Sequence, residues 1–205
     1  MKAAPEDLAY GFQSVAVDTK SDKEFLEGII NNHPLSNFDM KHYIDFRPYK
    51  RHFKGFVSTS RDTFTYITDS LPLSKLDFYI IFNPNIKDTS SIGHWTMVLH
   101  LSDGLAYYDP CGKMPRVPVL SWMKKYKDVM YDSVVWSKFD QQNDDSALCG
   151  YFVLYTLDKL FEGRVRDLQS FNDLVDNMQW DDFVNNHAKL YKHFRRGLQR
   201  GLRPL

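Results

Sequence analysis

Cys111 and Cys149 are the only two thiols among 205 residues, and their surroundings differ. Cys149 lies in Asp145-Ser146-Ala147-Leu148-Cys149-Gly150, at the mouth of an apolar run that reads as a helix. A thiol at a helix N-terminus feels the positive end of the backbone dipole, which favours the thiolate, the form that attacks electrophiles. The competing reading is a small buried hydrophobe, the usual fate of a free cysteine. Attack on a carbonyl further needs a base for the thiol proton, a group that orients the base, and a donor for the oxyanion.

Of the seven histidines, His94 is placed to be that base. It opens a strand in Gly93-His94-Trp95, whereas His33, His42, His52, His100, His187 and His193 lie in loops, elsewhere on a strand, or on helical faces. The next strand ends in Tyr107-Tyr108-Asp109-Pro110, so a hairpin would bring the Asp109 carboxylate beside the imidazole, to orient it and stabilise its charged form. Taken alone, Asp109 is a turn residue ahead of proline. Gln142, just upstream of Cys149, carries a side-chain amide able to join the Cys149 backbone N–H at an oxyanion. Its neighbour Gln141 is a second candidate for that role, and an exposed loop glutamine is the plain alternative.

The elements that must position these residues follow from periodicity and punctuation. Ser21-Asp22-Lys23-Glu24 is a capping box opening a helix through Phe25, Leu26, Ile29 and Ile30 that stops before Pro34. Lys41 to Phe56, where basic and aromatic residues interleave, reads as a surface loop. Leu76 to Phe82 is a buried strand ended by Asn83-Pro84-Asn85. His94 to Leu101 and Leu105 to Tyr108 form a hairpin across Ser102-Asp103-Gly104, and Ser133 to Ser137 adds a short strand. Gly150 to Leu160 is a buried central helix that Gly163 terminates. Helices from about Arg166 to Met178 and from about Asp181 onward close the order.

Composition bounds the remaining classes. Lys+Arg and Asp+Glu are both 26, so net charge argues for no acidic or nucleic-acid partner. A hydrophobic fraction of 43% with 15% aromatics suits a folded enzyme. No apolar run approaches the roughly 20 residues that span a bilayer, and the start Met1-Lys2-Ala3-Ala4-Pro5 has no apolar signal core, so the expectation is a soluble protein that is not secreted and has no membrane partner. Two cysteines without partners at metal-ligand spacing imply neither a disulfide framework nor a metal site, and no cofactor is expected. From Lys189 onward the tail carries Lys189, Lys192, Arg195, Arg196, Arg200 and Arg203 with no acid. That stripe reads either as a solvated helix face or as non-specific, salt-sensitive contacts to DNA.

The order His94-Trp95, Asp109-Pro110-Cys111-Gly112 and Gln142-Asn143-Asp144-Asp145-Ser146-Ala147-Leu148-Cys149-Gly150 resembles the adenovirus maturation proteases, within the wider group that includes the SUMO-type proteases. Those enzymes have His-Trp, an acid followed by Pro-Phe-Gly, and a Gln leading through Asn-Ser-Ala-Ala to Cys-Gly. The likeness covers about His94 to Leu160, with an echo at Phe53-Lys54-Gly55-Phe56-Val57-Ser58. Gln142 stands seven residues before Cys149, as in the adenoviral pattern.

The resemblance implies an α+β fold: one papain-like or adenain-like domain over 1–205, with a mixed sheet flanked by helices and a buried helix carrying the nucleophile at its N-terminus. The catalytic core would span about 76–163, between an N-terminal helical segment of about 1–40 and a basic C-terminal helix of about 180–203. It implies an endopeptidase with Cys149 as nucleophile, His94 as base, Asp109 as orienting acid, Gln142 as oxyanion donor and Trp95 packed beside the site. Its substrates would be capsid and core precursors of a DNA virus, virophage or virus-like transposon, cut in the virion or infected cell. Removal of SUMO-like tags and acyl transfer by a protein effector are alternatives with the same catalytic order, and a non-catalytic binding scaffold is a third. Cys111 replaces the usual Phe, and no second thiol matches the one to which adenoviral enzymes link an activating peptide, so no such activator is expected.

Overall fold

The computed structural model describes residues 21–61, 64–67, 73–84, 93–130, 133–177 and 183–199. The chain runs α1 (Asp22–Ile30), α2 (Asn37–Asp45), a 3-10 turn (Lys50–His52), β1 (Phe53–Ser58), β2 (Thr65–Tyr66), β3 (Phe78–Asn83), β4 (His94–His100), β5 (Gly104–Tyr108), α3 (Val117–Met130), β6 (Ser133–Trp136), α4 (Cys149–Glu162), α5 (Leu168–Asn177) and α6 (Phe183–Gln199). It is a mixed α+β fold around one sheet of order β2-β1-β3-β4-β5-β6. The β3-β4 and β4-β5 pairs are antiparallel, while β1 runs parallel to β2 and β3, and β5 parallel to β6.

The central strands are continuous apolar runs because both faces of the sheet are covered. Phe78 and Ile80 of β3, Met97 and Leu99 of β4, and Ala106 and Tyr108 of β5 join one core cluster with α4. The alternate residues Tyr79, Ile81, Val98, Leu105 and Tyr107 join a second cluster with Val119, Trp122 and Met123 of α3. Helix α4 is buried nearly all round, between the sheet and the outer helices, so its apolar pattern has no clean polar face. Side chains such as Phe152 and Leu154, fully buried here, each contribute about 1.5–3 kcal/mol by leaving water.

The capping box at Ser21 forms as expected, with Ser21 and Glu24 exchanging side-chain and backbone bonds. Lys41 to Phe56 is not a surface loop. Ser36 and Asp39 make a second capping box that opens α2, and the aromatics between the cations turn inward, Tyr43 and Tyr49 being buried. Arg47 also turns in: its guanidinium lies 4.0 Å over the Tyr43 ring and 3.6 Å from Asp158. Helix α3, absent from the sequence-based expectation, has the right signal: Pro118 in its first turn, then Val119, Trp122, Met123 and Tyr126 at helical steps. Met178 and Asp181, the expected ends of the last two helices, lie outside the described residues.

Candidate active site

The register of the sheet brings the acid to the histidine. Met97 pairs with Tyr108 at the end of the β4-β5 ladder, so the chain after Tyr108 runs back along the start of β4, where His94 sits. His94 Nε2 lies 2.7 Å from Asp109 Oδ1 and donates to it, since an ionised carboxylate only accepts. The same Oδ1 accepts the Cys111 N–H at 2.8 Å, and Asp109 is buried. That leaves the other ring nitrogen for Cys149. Burial pulls the imidazole down, but the hydrogen bonds to Asp109 and Cys149, with the attraction of both groups, push it up to about 10.

Cys149 is the first residue of α4, Leu148 is its N-cap, and no side chain caps the helix. Cys149 is only 3% exposed, and its sulfur accepts the Trp95 backbone N–H at 3.4 Å. Trp95 is fixed in turn: its indole N–H donates to the Leu35 carbonyl at 3.0 Å, and its ring packs on Phe56, Phe64 and Phe82. Gly150 lets the start of α4 approach this wall, since a Cβ there would stand 3.1 Å from Leu35 and 3.4 Å from Trp95.

A cleft of about 530 Å³ opens on His94, Asp109, Gln142 and Cys149 together. Gln142 donates from Nε2 to the Ser146 carbonyl, which holds its amide on the cleft wall. Gln141 turns the other way, into the core, where its Oε1 accepts the Tyr108 hydroxyl. The segment carrying both is locked to the acid's loop: the Gln141 and Gln142 N–H groups donate to the Pro110 carbonyl at 2.8 and 3.0 Å. Gly112 makes that contact possible, with φ +61 and no room for a Cβ, which would stand 2.8 Å from the Phe139 carbonyl carbon. Lys113 and Asp144 bridge the mouth of the cleft at 2.6 Å.

Cys111 lines the same cleft, but burial first and then the charge of Asp109 push its thiol up to about 12, so it stays protonated near neutrality. His94, Asp109 and Cys111 hold ligand atoms within 4.8 Å of one another, a nitrogen, oxygen and sulfur set of the zinc type. A cation there would take the nitrogen and carboxylate that now hold each other. Lys189, Lys192, Arg195 and Arg196 are exposed on α6, far along the chain from the cleft lining, and Arg200 lies outside the described residues.

The sequence reading missed Asn32. At φ 54, just past α1, its Oδ1 accepts the Ala147 N–H at 2.9 Å and the Ser146 hydroxyl at 3.2 Å, and its Nδ2 donates to the Asp145 carbonyl at 3.3 Å. It pins the loop that leads into Cys149. Asn is the side chain that tolerates the left-handed region and offers both a donor and an acceptor, so Asn31-Asn32-His33-Pro34 held the signal. Ser137 was missed too. Its hydroxyl accepts the Asp109 N–H at 3.0 Å and donates to the Asp109 carbonyl.

The same arrangement of strands and helices occurs among known structures. The fold is similar to that of the ASFV pS273R protease. The two superpose with a TM-score of 0.53 at 14% identity, over 81% of this chain and 68% of that one. A second similarity is to the C-terminal Ulp1 protease domain in complex with Smt3, the yeast ortholog of SUMO, at a TM-score of 0.44 and 12% identity, over 87% and 82% of the two chains. No protein-family model and no curated protein matches the sequence. No helix among the described residues is long and apolar enough to cross a membrane.

Proposed function

We propose that this protein is a cysteine endopeptidase in which Cys149 is the nucleophile and His94 its acid–base partner. The observation that carries the reading is that His94, held by Asp109 at 2.7 Å, opens on the same cleft as Cys149, with the imidazole raised to about 10. At neutral pH that ring holds its proton. The thiolate attacks the scissile carbonyl carbon and a carbon–sulfur bond forms. The oxyanion takes the Cys149 backbone N–H and the second N–H of Gln142, the first being committed to Ser146. His94 gives its proton to the leaving amine as the carbon–nitrogen bond breaks, then takes one from the water that hydrolyses the thioester. Asp109 keeps the imidazole oriented and favours its charged form.

The resemblance to adenovirus maturation proteases, and the fold shared with an enzyme named as an ASFV protease, support a finer reading. Its substrates are capsid and core precursors of a DNA virus or related element, cut at small residues, often glycine, in the virion or infected cell. Non-specific DNA contacts by Lys189, Lys192, Arg195, Arg196 and Arg200 belong to that picture, as does the absence of a disulfide-linked peptide activator.

Incubating co-expressed precursor proteins with the parent and with Cys149→Ala tests this directly. New N-termini after small residues are expected with the parent alone. Cleavage that persists with Cys149→Ala contradicts the mechanism. Capture of a ubiquitin-like C-terminal vinyl probe, with the precursors left uncut, contradicts the substrate class.

A further inference from the structure

A second concave feature lies away from the cleft. It is a cavity of about 680 Å³ bounded by the segment between α2 and β1, the C-terminal half of α4, and α6. Its lining holds seven Lys and Arg side chains and two carboxylates. Both carboxylates are already engaged. Asp158 accepts from Tyr43, Tyr49 and His193 and faces Arg47, and Glu162 pairs with Lys159 at 2.8 Å. Among the described residues Arg51, Arg166, Lys192 and Arg196 form no ion pair with a carboxylate, although all four line the cavity and are exposed to solvent.

Like charges gathered around a concave space repel one another, and the low-dielectric walls concentrate their field inside it. An anion that fills the space relieves that repulsion. Among the described residues no further carboxylate lines it. Phosphate is the anion that guanidinium and ammonium groups on several walls hold best, through forked and point-charge contacts.

From this geometry we infer that the cavity binds a compact, multiply phosphorylated small molecule. Three features favour a small ligand over a nucleic acid. The cations lie on facing walls rather than along one ridge. Arg47, at the base, is only 6% exposed, where a duplex backbone cannot follow. Arg195, which a strand tracking the outer face of α6 would meet, lies outside the cavity lining. The ligand would tie α6 to α4, the helix that begins at Cys149. Helix α6 also touches the segment that carries Gln142, because Asn186 donates to the Gln141 carbonyl at 2.8 Å. This inference stands apart from the protease reading, since binding is measured without a substrate.

The probe is myo-inositol hexakisphosphate, titrated calorimetrically into the full chain at about 0.15 M salt, with sodium triphosphate and a 20-base-pair duplex DNA in parallel. One hexakisphosphate per chain is expected, raising the melting temperature. Lys192→Glu/Arg196→Glu on α6, and Arg51→Glu on the opposite wall, should each weaken it at least tenfold. Lys124→Glu/Lys125→Glu on α3 should bind as the parent does. Each variant is first required to melt as the parent does without ligand, and the two walls provide independent variants should one fail. No binding of either phosphate compound, equal binding by the wall variants, or a duplex that binds more tightly and displaces the hexakisphosphate would overturn the inference.

Discussion

His94 and Asp109 meet at 2.7 Å, with the carboxylate also accepting the Cys111 N–H, so the acid is held by its own loop while it holds the imidazole. The raised His94 group keeps its proton below about 10 and loses it above. The alkaline limb of kcat/KM is therefore expected well above the range of a free imidazole. In Asp109→Asn a hydrogen bond remains but the charge is gone, so that limb should move down toward neutrality. Activity lost by removing Asp109 should be roughly two orders of magnitude less than that lost by removing His94. A pH–rate profile of the parent, Asp109→Asn and His94→Ala checks both statements, and the reverse ranking would point to another acid.

Asn32 is a positioning residue, because it touches the loop before Cys149 rather than the reacting atoms. Asn32→Ala should lower kcat with KM little changed, and lower stability by about 1 kcal/mol for the lost hydrogen bonds and the φ of 54. Asn32→Gly keeps the backbone conformation without the amide. It should recover most of the stability but not the rate, and recovery of both would reduce Asn32 to a turn residue.

The buried carboxylate of Asp158 makes a separate prediction. Burial opposes its charge, but His193, Arg47, Tyr43 and Tyr49 together hold it below the ordinary carboxylate value. A group whose folded value is depressed contributes stability above its unfolded value and loses it as pH falls through the folded one. Melting temperature should thus decline from about pH 4 downward, and Asp158→Asn should flatten that decline. Asp158→Ala leaves Arg47 buried without its carboxylate and should cost about 3–5 kcal/mol. Chemical denaturation of these variants, from pH 2 to 7, gives both numbers.

Gly112→Ala forces a Cβ into φ +61 and against the Phe139 backbone. The strain is about 1–3 kcal/mol. Since this contact joins the Asp109 loop to the Gln141-Gln142 segment, activity should fall further than stability does. A variant as active as the parent would show that the two loops need not be docked.

Legibility from sequence followed the range of the interactions. The sheet hairpin, α1 and α4 were readable because each carries a local signal: alternating or continuous apolar residues, a Ser-Asp-Lys-Glu capping box, an Asp-Gly turn. Lys41 to Phe56 was misread because interleaved cations and aromatics look like solvated surface, and only the tertiary partner Asp158, more than a hundred residues on, explains why Tyr43, Arg47 and Tyr49 turn inward. Helix α3 carries helical periodicity in Val119, Trp122, Met123 and Tyr126, but its role as a cover for the sheet follows only from the strands it packs on. In the site, the order of His94, Asp109, Gln142 and Cys149 was visible, and the structure brings all four onto one cleft. Asn32 and the Trp95 backbone N–H were not, since a backbone donor has no letter in the sequence and Asn32 acts across more than a hundred residues.

Alkylation kinetics bear most directly on the central claim that His94 activates Cys149. With iodoacetamide at pH 6.5–7.5, mapped by peptide mass, the account predicts rapid modification of Cys149, none of Cys111 on the same timescale, and a steep fall in the Cys149 rate in His94→Ala. Equal labelling of the two thiols, or a Cys149 rate indifferent to His94, would contradict it.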